Sequence, residues 1–202
     1  MKSRNNASHK GRPREFDAHD ALDRALHVFR EKGYEGASLN DLTAAMGINR
    51  PSLYAAFGDK RALFEKALQR YAEGPAAFMR KALEENTARE VAERLLRGSV
   101  ELLTSPGNPP GCLTVQGALV CGAEAKDVRE ELNSHRACAE ESIVRRLKRA
   151  KAEGDLPAET NPTDLARFLT SVMYGMSVQA AGGASRVELK RIAKTAMQAW
   201  PK

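Results

Sequence analysis

Apolar residues recur along the chain at the three- and four-residue spacing of amphipathic helices, and no segment alternates with the period of a strand. The first stripe of apolar residues runs from Ala21 to Phe29. It follows acidic residues, which favour the N-terminus of a helix, and precedes Gly33, which can end a helix. The pattern predicts an all-α protein of about nine helices. The predicted spans are 17–32, 39–46, 50–57, a long helix after residue 60 that Gly74 and Pro75 interrupt, 88–103, 112–123, 124–153, 162–181 and 185–199.

Two short predicted helices lie on either side of the tripeptide Gly47-Ile48-Asn49. Ser38 is followed three residues later by Asp41, which is close to a capping box, and Asn49 is a natural cap for the second of the two helices. Gly47 tolerates the positive φ that a tight turn requires. The pattern therefore predicts a helix-turn-helix, with a short connecting helix in an ordinary bundle as the alternative.

The second of these helices has an apolar side and a polar start. Leu53 and Phe57 are four residues apart and would hold the helix on the bundle. A recognition helix meets base edges with its first residues, and an arginine there can pair with guanine. We therefore expect contacts to DNA bases or phosphates from Asn49, Arg50, Pro51, Ser52, Tyr54 and Lys60.

The chain has 202 residues and a formal net charge of +6, and its first 14 residues carry five of these charges with no acid. A basic arm of this kind contacts the phosphates or the minor groove of nucleic acid. A solubilising tail without a binding role is the alternative. The segment that follows the arm favours the first interpretation.

The segments "GRPREFD" and "SLNDLTAAMGINRPSLYAAFGDKRALFEKAL" closely resemble the DNA-binding domain of the TetR/AcrR family of bacterial transcriptional repressors, and the resemblance is strong over residues 10–70. It implies a basic flexible arm over 1–14, a three-helix DNA-binding domain over 15–60 and a helical ligand-binding and dimerisation domain over 61–202. It also implies that Arg12 and Arg14 belong to the DNA-contacting arm and that Ser38 caps the second helix near a phosphate. Thr43 and Ala56 depart from residues that the family often has.

The resemblance further implies a homodimer formed by the last two helices and an effector pocket among the middle ones. The apolar face of the helix predicted over 162–181 fits a dimer, although burial within one chain is the alternative. The residues expected at the dimer interface are Leu165, Leu169, Val172, Met176 and Ile192. The residues expected in the pocket, each of which also fits plain core, are Phe78, Met79, Leu102, Cys112, Val115, Gln116, Leu119, Phe168 and Met173.

Cys112 follows a Pro-Gly loop at the start of a predicted helix, a place that favours the thiolate form of cysteine. Some members of the resembled family with a similar Gly-Cys-Leu segment look like electrophile or redox sensors, and a small buried side chain is the alternative role. His135 and Cys138 share a helix face, but two ligands do not make a metal site, so no metal is predicted. The basic run over 145–151 is interpreted as a solvated helix face.

Other classes of protein find little support in the sequence. It has no Ser-His-Asp order, phosphate loop or HExxH motif, so we expect neither an enzyme nor a cofactor. No run of about 18 apolar residues is present, and the basic N-terminus lacks an apolar signal region, so we expect a cytoplasmic protein without a membrane span. We expect a ligand- or stress-responsive repressor that an effector releases from a palindromic operator; activation, and a scaffold that does not bind DNA, stay open.

Overall fold

A computed structural model of the chain describes residues 16–119 and 122–201, with the backbone alone at residues 119 and 123. These residues form ten α-helices and one 3-10 turn, Ala123–Ala125, and they contain no strand. The helices are α1 (Ala18–Gly36), α2 (Leu39–Met46), α3 (Arg50–Phe57), α4 (Lys60–Glu73), α5 (Phe78–Ala82), α6 (Ala88–Thr104), α7 (Leu113–Leu119), α8 (Lys126–Ala152), α9 (Pro162–Ala181) and α10 (Arg186–Gln198). The all-α prediction is confirmed, and α5 is a separate helix where the sequence predicts an interrupted continuation of α4.

Local capping signals fix the starts of several helices. At α2, α6 and α10 a hydroxyl accepts from the backbone three residues later and a carboxylate accepts in return, which satisfies N–H groups that the first turn leaves free. The pairs are Ser38 with Asp41, Thr87 with Glu90, and Ser185 with Glu188. The bounds of α2 and α3 agree with those predicted, because their caps and stops lie within a few residues of each other.

The first helix is longer than predicted. It continues beyond residue 32 to Gly36, through a kink at Gly33, whose φ of 69° and ψ of 178° are not helical. The prediction that Gly33 ends the helix is therefore wrong: Gly33 only kinks it, and the backbone resumes a helical conformation as far as Gly36. The backbone N–H of Ala37 then donates to the Gly33 carbonyl at 3.3 Å.

One apolar cluster holds helices α1 to α4 together and extends to α7 and the start of α8. At its centre the ring of Phe29 meets the edge of the Phe64 ring, with centroids 5.0 Å apart. Phe64 belongs to α4, so the cluster crosses residue 60. The division of the chain at residues 60 and 61 therefore stays a prediction.

A second apolar cluster lies among α6, the end of α8, α9 and α10. Its fully buried side chains include Leu95, Leu96, Ile143 and Leu147, and Trp200 covers it after the end of α10. Within the described residues, no helix is long and apolar enough to cross a bilayer.

Three of the five predicted dimer residues belong to this second core. Leu165, Leu169 and Met176 are at most 9% exposed in the single chain, so they face its interior and cannot form the outer surface of α9. Val172 and Ile192 are half-buried against the same cluster. The large apolar side chains exposed on α9 and α10 are instead Phe168, Val178 and Val187.

The predicted solvated face over residues 145–151 is wrong for one residue. Arg146 is buried, and its Nη2 donates to the carbonyls of Glu85 at 2.7 Å and Asn86 at 2.9 Å. Its guanidinium thereby holds the loop between α5 and α6, whereas Arg145, Lys148 and Arg149 are exposed. The run of cations contains a structural arginine that its composition does not reveal.

Candidate nucleic-acid interface and effector cavity

The turn between α2 and α3 is built from residues with specific backbone needs. Gly47 ends α2 in the left-handed region, with φ of 68° and ψ of 29°. The Oδ1 atom of Asn49 accepts from the backbone N–H of Ser52 at 2.9 Å and so caps α3, and Pro51 lies in the first turn, where no N–H is required. These contacts fix the direction in which α3 leaves the turn.

Helix α3 has one buried side and one exposed side. Leu53 and Phe57 are buried in the first apolar cluster, which also contains residues of α1, α2 and α4, and α3 packs against α2 and α4. Arg50 and Pro51 are exposed, Ser52 is half-buried, and the Tyr54 side chain is 48% exposed although it is a large aromatic. The exposed side therefore presents a cation and a phenol on a helix whose position is set by its core contacts.

Asn40 contacts a residue of the candidate interface, and the sequence did not reveal this contact. Its Oδ1 atom accepts a hydrogen bond from Arg50 Nη2 at 2.9 Å, and both side chains are exposed. The contact joins α2 to α3 and aims the Arg50 guanidinium along the outer surface. Helical spacing within either element could not have shown this pair, because the two residues belong to different helices.

The remaining predicted DNA-contacting residues lie close to this surface or outside the described residues. Ser38 is exposed at the start of α2, where its hydroxyl belongs to the capping box. Lys60 opens α4, and its Nζ lies 4.5 Å from the centroid of the Tyr34 ring. Burial lowers the pKa of Lys60, so this lysine is partly covered rather than freely extended. Arg12 and Arg14 lie outside the described residues.

A cavity of about 380 Å³ lies among α4 to α9. Six of the nine predicted pocket residues line it: Phe78, Met79, Leu102, Cys112, Val115 and Met173. Gln116 does not line it, because its amide packs over Gly111. Phe168 is also outside the cavity, since it points to the exposed side of α9, and the side chain of Leu119 lies outside those described. The role of these residues in binding an effector stays a prediction.

The cavity wall on α6 depends on a residue without a side chain. The Phe78 ring lies so close to Gly98 that a Cβ at this position would come within 2.1 Å of Phe78 Cδ2. Gly98 is buried in the middle of α6, where its φ is ordinary. The glycine is therefore required for the close approach of the ring and not for backbone freedom.

Cys112 lies at the inner polar end of the cavity, one residue before α7 begins. The Tyr71 hydroxyl donates to its Sγ at 3.3 Å, and the Oγ1 of Thr114 is 3.2 Å from the same sulfur. The backbone N–H of Cys112 donates to the Oγ of Ser177 on α9 at 2.8 Å. Burial, followed by the neighbouring Cys112, raises the pKa of Tyr71 well above its usual value, so this phenol stays protonated and able to donate.

The cavity lining also includes polar residues that were not predicted to belong to it. The guanidinium carbon of Arg136 lies 5.7 Å from the centroid of the Tyr174 ring, and His135 and Cys138 come from the same stretch of α8. Arg80 adds a further cation from α5, while no acidic residue is among the described residues that line the cavity. Within the described residues, no group of three or more potential ligands could hold a metal ion.

Two protein-family profiles match this arrangement. The profile for bacterial regulatory proteins of the tetR family matches residues 21–67, and the profile for the tetracyclin repressor-like C-terminal domain matches residues 91–196. The chain belongs to the tetR family. The helix-turn-helix lies in the first match and most of the cavity lining in the second, so the chain is a DNA-binding transcriptional regulator, as predicted.

Curated members of the tetR family resemble the chain over most of its length. The transcriptional repressor ComR of Escherichia coli K12 is 34% identical over 95% of this chain and 92% of its own. The uncharacterised regulator YezE of Bacillus subtilis 168 is 35% identical over 79% of this chain and 83% of its own.

Among solved structures, a cysteine-substituted variant of the tetR-family regulator CifR is 43% identical, with a TM-score of 0.90 over 94% of this chain and all of its own. That protein was solved in complex with a 26-base-pair double-stranded operator DNA. A tetR regulator from Rhodococcus sp. RHA1 is 44% identical, with a TM-score of 0.64 over 92% of this chain and all of its own.

The turn geometry predicts opposite effects for two glycine substitutions in this tetR-family chain. Gly47→Ala should lower the free energy of unfolding by about 1–2 kcal/mol, because a Cβ is strained in the left-handed region. Gly36→Ala, at the helical end of α1, should raise it by about 0.4–1 kcal/mol, because alanine restricts the unfolded chain. In both cases a Cβ would meet its nearest neighbour at 3.5 Å, so space does not distinguish them. Urea denaturation measures both changes, and equal effects would contradict the assigned turn.

Proposed function

We propose that the chain is a repressor that binds a palindromic operator through α3 and acts in the cytoplasm. The observation that carries this proposal is the exposed Arg50, aimed by Asn40 on a helix that Leu53 and Phe57 hold in place. A side chain reads a base edge only when its position is fixed, and arginine has the donor geometry that guanine requires. The predicted phosphate contacts come from the arm with Arg12 and Arg14, and from Ser38, Asn49, Ser52, Tyr54 and Lys60, while Pro51 packs at the groove.

We propose a homodimer formed by the outer surfaces of α9 and α10. Phe168, Val178 and Val187 are exposed large apolar residues on these two helices, and Gly175, in the same surface of α9, has no neighbour within 4 Å of an added Cβ. A palindromic site requires two recognition helices about 34–36 Å apart, which a twofold dimer supplies. This surface replaces the buried residues of α9 as the proposed interface, with Val172 and Ile192 at its edge.

We propose that an effector occupies the cavity and favours a conformation in which the two recognition helices no longer match the operator. The cavity has an apolar body, and its charged lining residues are the arginines Arg80 and Arg136. Because the described lining contains no carboxylate to neutralise a cation, a neutral or anionic effector fits better than a cationic one. In this view the protein is a binding module and has no catalytic role.

A second candidate for the signal is covalent modification of Cys112. Its sulfur lines the cavity and accepts the Tyr71 hydrogen bond, so an electrophile that enters the cavity meets a nucleophile beside a proton donor. In such a reaction the sulfur adds to an electrophilic carbon and the thiol proton passes to the adduct. The effector would then be a small electrophile rather than a reversibly bound ligand.

The operator proposal predicts distinct effects for the two interface residues. Binding is measured with an operator duplex that the parent chain has selected from a random pool. Arg50→Ala should weaken binding to this duplex by about 1–3 kcal/mol and relax the sequence preference at one base pair. Asn40→Ala should relax that same preference with a smaller loss of affinity, because Arg50 keeps its charge but loses its orientation. Arg97→Ala, an exposed arginine of α6, is the control. Unchanged base preference in both interface variants would contradict the assignment.

The dimer proposal predicts that a charge on the outer surface of α9 weakens self-association. Phe168→Glu should raise the dimer dissociation constant by about tenfold or more, because it places a carboxylate against apolar surface in the interface. Gln69→Glu adds the same charge to α4 and should leave the constant unchanged. Sedimentation equilibrium measures both, and a Phe168→Glu chain that dimerises like the parent would exclude this surface.

The covalent candidate is tested in a chain in which Cys121 and Cys138 are replaced by serine. N-ethylmaleimide, which adds to a thiol without a leaving group, should then release the operator by alkylating Cys112 alone. The further replacement Cys112→Ser should abolish that release without changing operator affinity in the absence of the reagent. Release that persists in the cysteine-free chain would assign Cys112 a structural role.

A further inference from the structure

The loop between α6 and α7, residues 105–112, is held by two side chains of α1. Nε2 of His27 lies 3.2 Å from the carbonyl oxygen of Gly107. Arg30, one turn further along α1, donates from Nη1 to the Oδ1 of Asn108 at 2.9 Å and from Nη2 to the carbonyl of Pro109 at 3.1 Å. Helix α1, which seats the helix-turn-helix, thus contacts three consecutive residues of a loop about 80 positions away.

Arg30 is a buried cation, which is uncommon in proteins. Arg30 is 8% exposed, both of its acceptors are neutral, and its Nε has no hydrogen-bond partner among the described residues. A buried cation is strongly destabilised when its hydrogen-bond acceptors move away. The two hydrogen bonds of Arg30 therefore favour one position of the loop over slightly shifted positions. An apolar contact would tolerate such a shift.

The same loop leads directly to the cavity. Three residues after Pro109 the chain reaches Cys112, whose sulfur lines the cavity and whose N–H is bound to Ser177 of α9. A second and shorter route leads from Arg30 to the cavity through Tyr71. The Arg30 guanidinium carbon lies 5.6 Å from the centroid of the Tyr71 ring, and the Tyr71 hydroxyl donates to Cys112 Sγ. Arg30 therefore touches both the loop and the side chain that connect α1 to the cavity.

We infer that Arg30 is the positioning residue that couples the state of the cavity to the orientation of the DNA-binding helices. A ligand or adduct that displaces Cys112, Tyr71 or the loop withdraws the acceptors of Arg30, and α1 then loses its hold on residues 107–109. The inference rests on the proposed function, since it concerns how operator release occurs. The competing route runs through α4 alone, which lines the cavity with Leu68 and Tyr71 and packs on α1 without needing Arg30.

A thermodynamic cycle separates the two routes. In a chain with Cys121→Ser and Cys138→Ser, 2-hydroxyethyl disulfide exchanges with the Cys112 thiol: one mixed disulfide forms and one molecule of 2-mercaptoethanol leaves. The adduct should weaken operator binding by about fivefold or more, and by reciprocity operator DNA should lower the equilibrium constant for adduct formation by the same factor. Mass spectrometry after an acid quench gives the adduct fraction, and fluorescence anisotropy gives the operator affinity.

In this cycle Arg30→Met should bring the coupling factor close to one while the unmodified chain still binds the operator. Arg30→Lys, which keeps the charge but can satisfy fewer acceptors, should give an intermediate factor. Arg146→Met is the matched control, because Arg146 is an equally buried arginine that holds a different loop by two carbonyls, and it should leave the factor unchanged. If Arg30→Met does not fold, Asn108→Ala removes one acceptor from an exposed position and should also reduce the factor.

Each outcome of the cycle bears on the inference. A factor of one in the parent chain, or a factor that Arg30→Met and Asn108→Ala leave intact, overturns it. So does an equal loss in Arg146→Met, which would make the effect a general one of removing a buried cation. Absence of operator binding by the unmodified parent is a separate result, because it contradicts the proposed function itself.

Discussion

The edge-to-face contact between Phe29 of α1 and Phe64 of α4 joins the two helices that support the recognition helix. Leu53 and Phe57 of α3 are buried in the same cluster, so the packing of this cluster determines the position of α3. One turn beyond Phe64, Leu68 begins the part of α4 that lines the cavity. Because close packing of aromatic side chains tolerates few alternative arrangements, this cluster fixes α3 relative to α1 and α4.

The parts of the structure that the sequence predicts well are those whose signals are local. The helix-turn-helix needs a cap at Ser38, a left-handed glycine at Gly47 and a second cap at Asn49, all within twelve residues, and its helices have the predicted bounds. The exposed pair of Asn40 and Arg50 and the buried Arg30 depend instead on partners in other elements. The sequence shows that Arg30 lies beside an apolar stripe, but it does not show which loop accepts the hydrogen bonds of Arg30.

Helix α9 shows a different limit of prediction. Apolar residues occur on both of its sides, so periodicity indicates a helix with a broad apolar face but not which side meets its own chain. The residues chosen for the dimer proved to be core at Leu165, Leu169 and Met176, whereas Phe168, expected in the cavity, lies on the outer side. Both differences have one physical cause: a single chain and its partner bury the same types of side chain, so composition cannot tell one contact from the other.

The close contact between Phe78 and Gly98 has a consequence for how the size of the cavity is determined. Phe78 forms part of the wall, and behind it the backbone of α6 leaves no space for even one methyl group. A single added carbon at residue 98 would displace the Phe78 ring, which forms part of the cavity wall. The volume of the cavity is thus set partly from behind its wall, by Gly98, a residue that does not itself line the cavity.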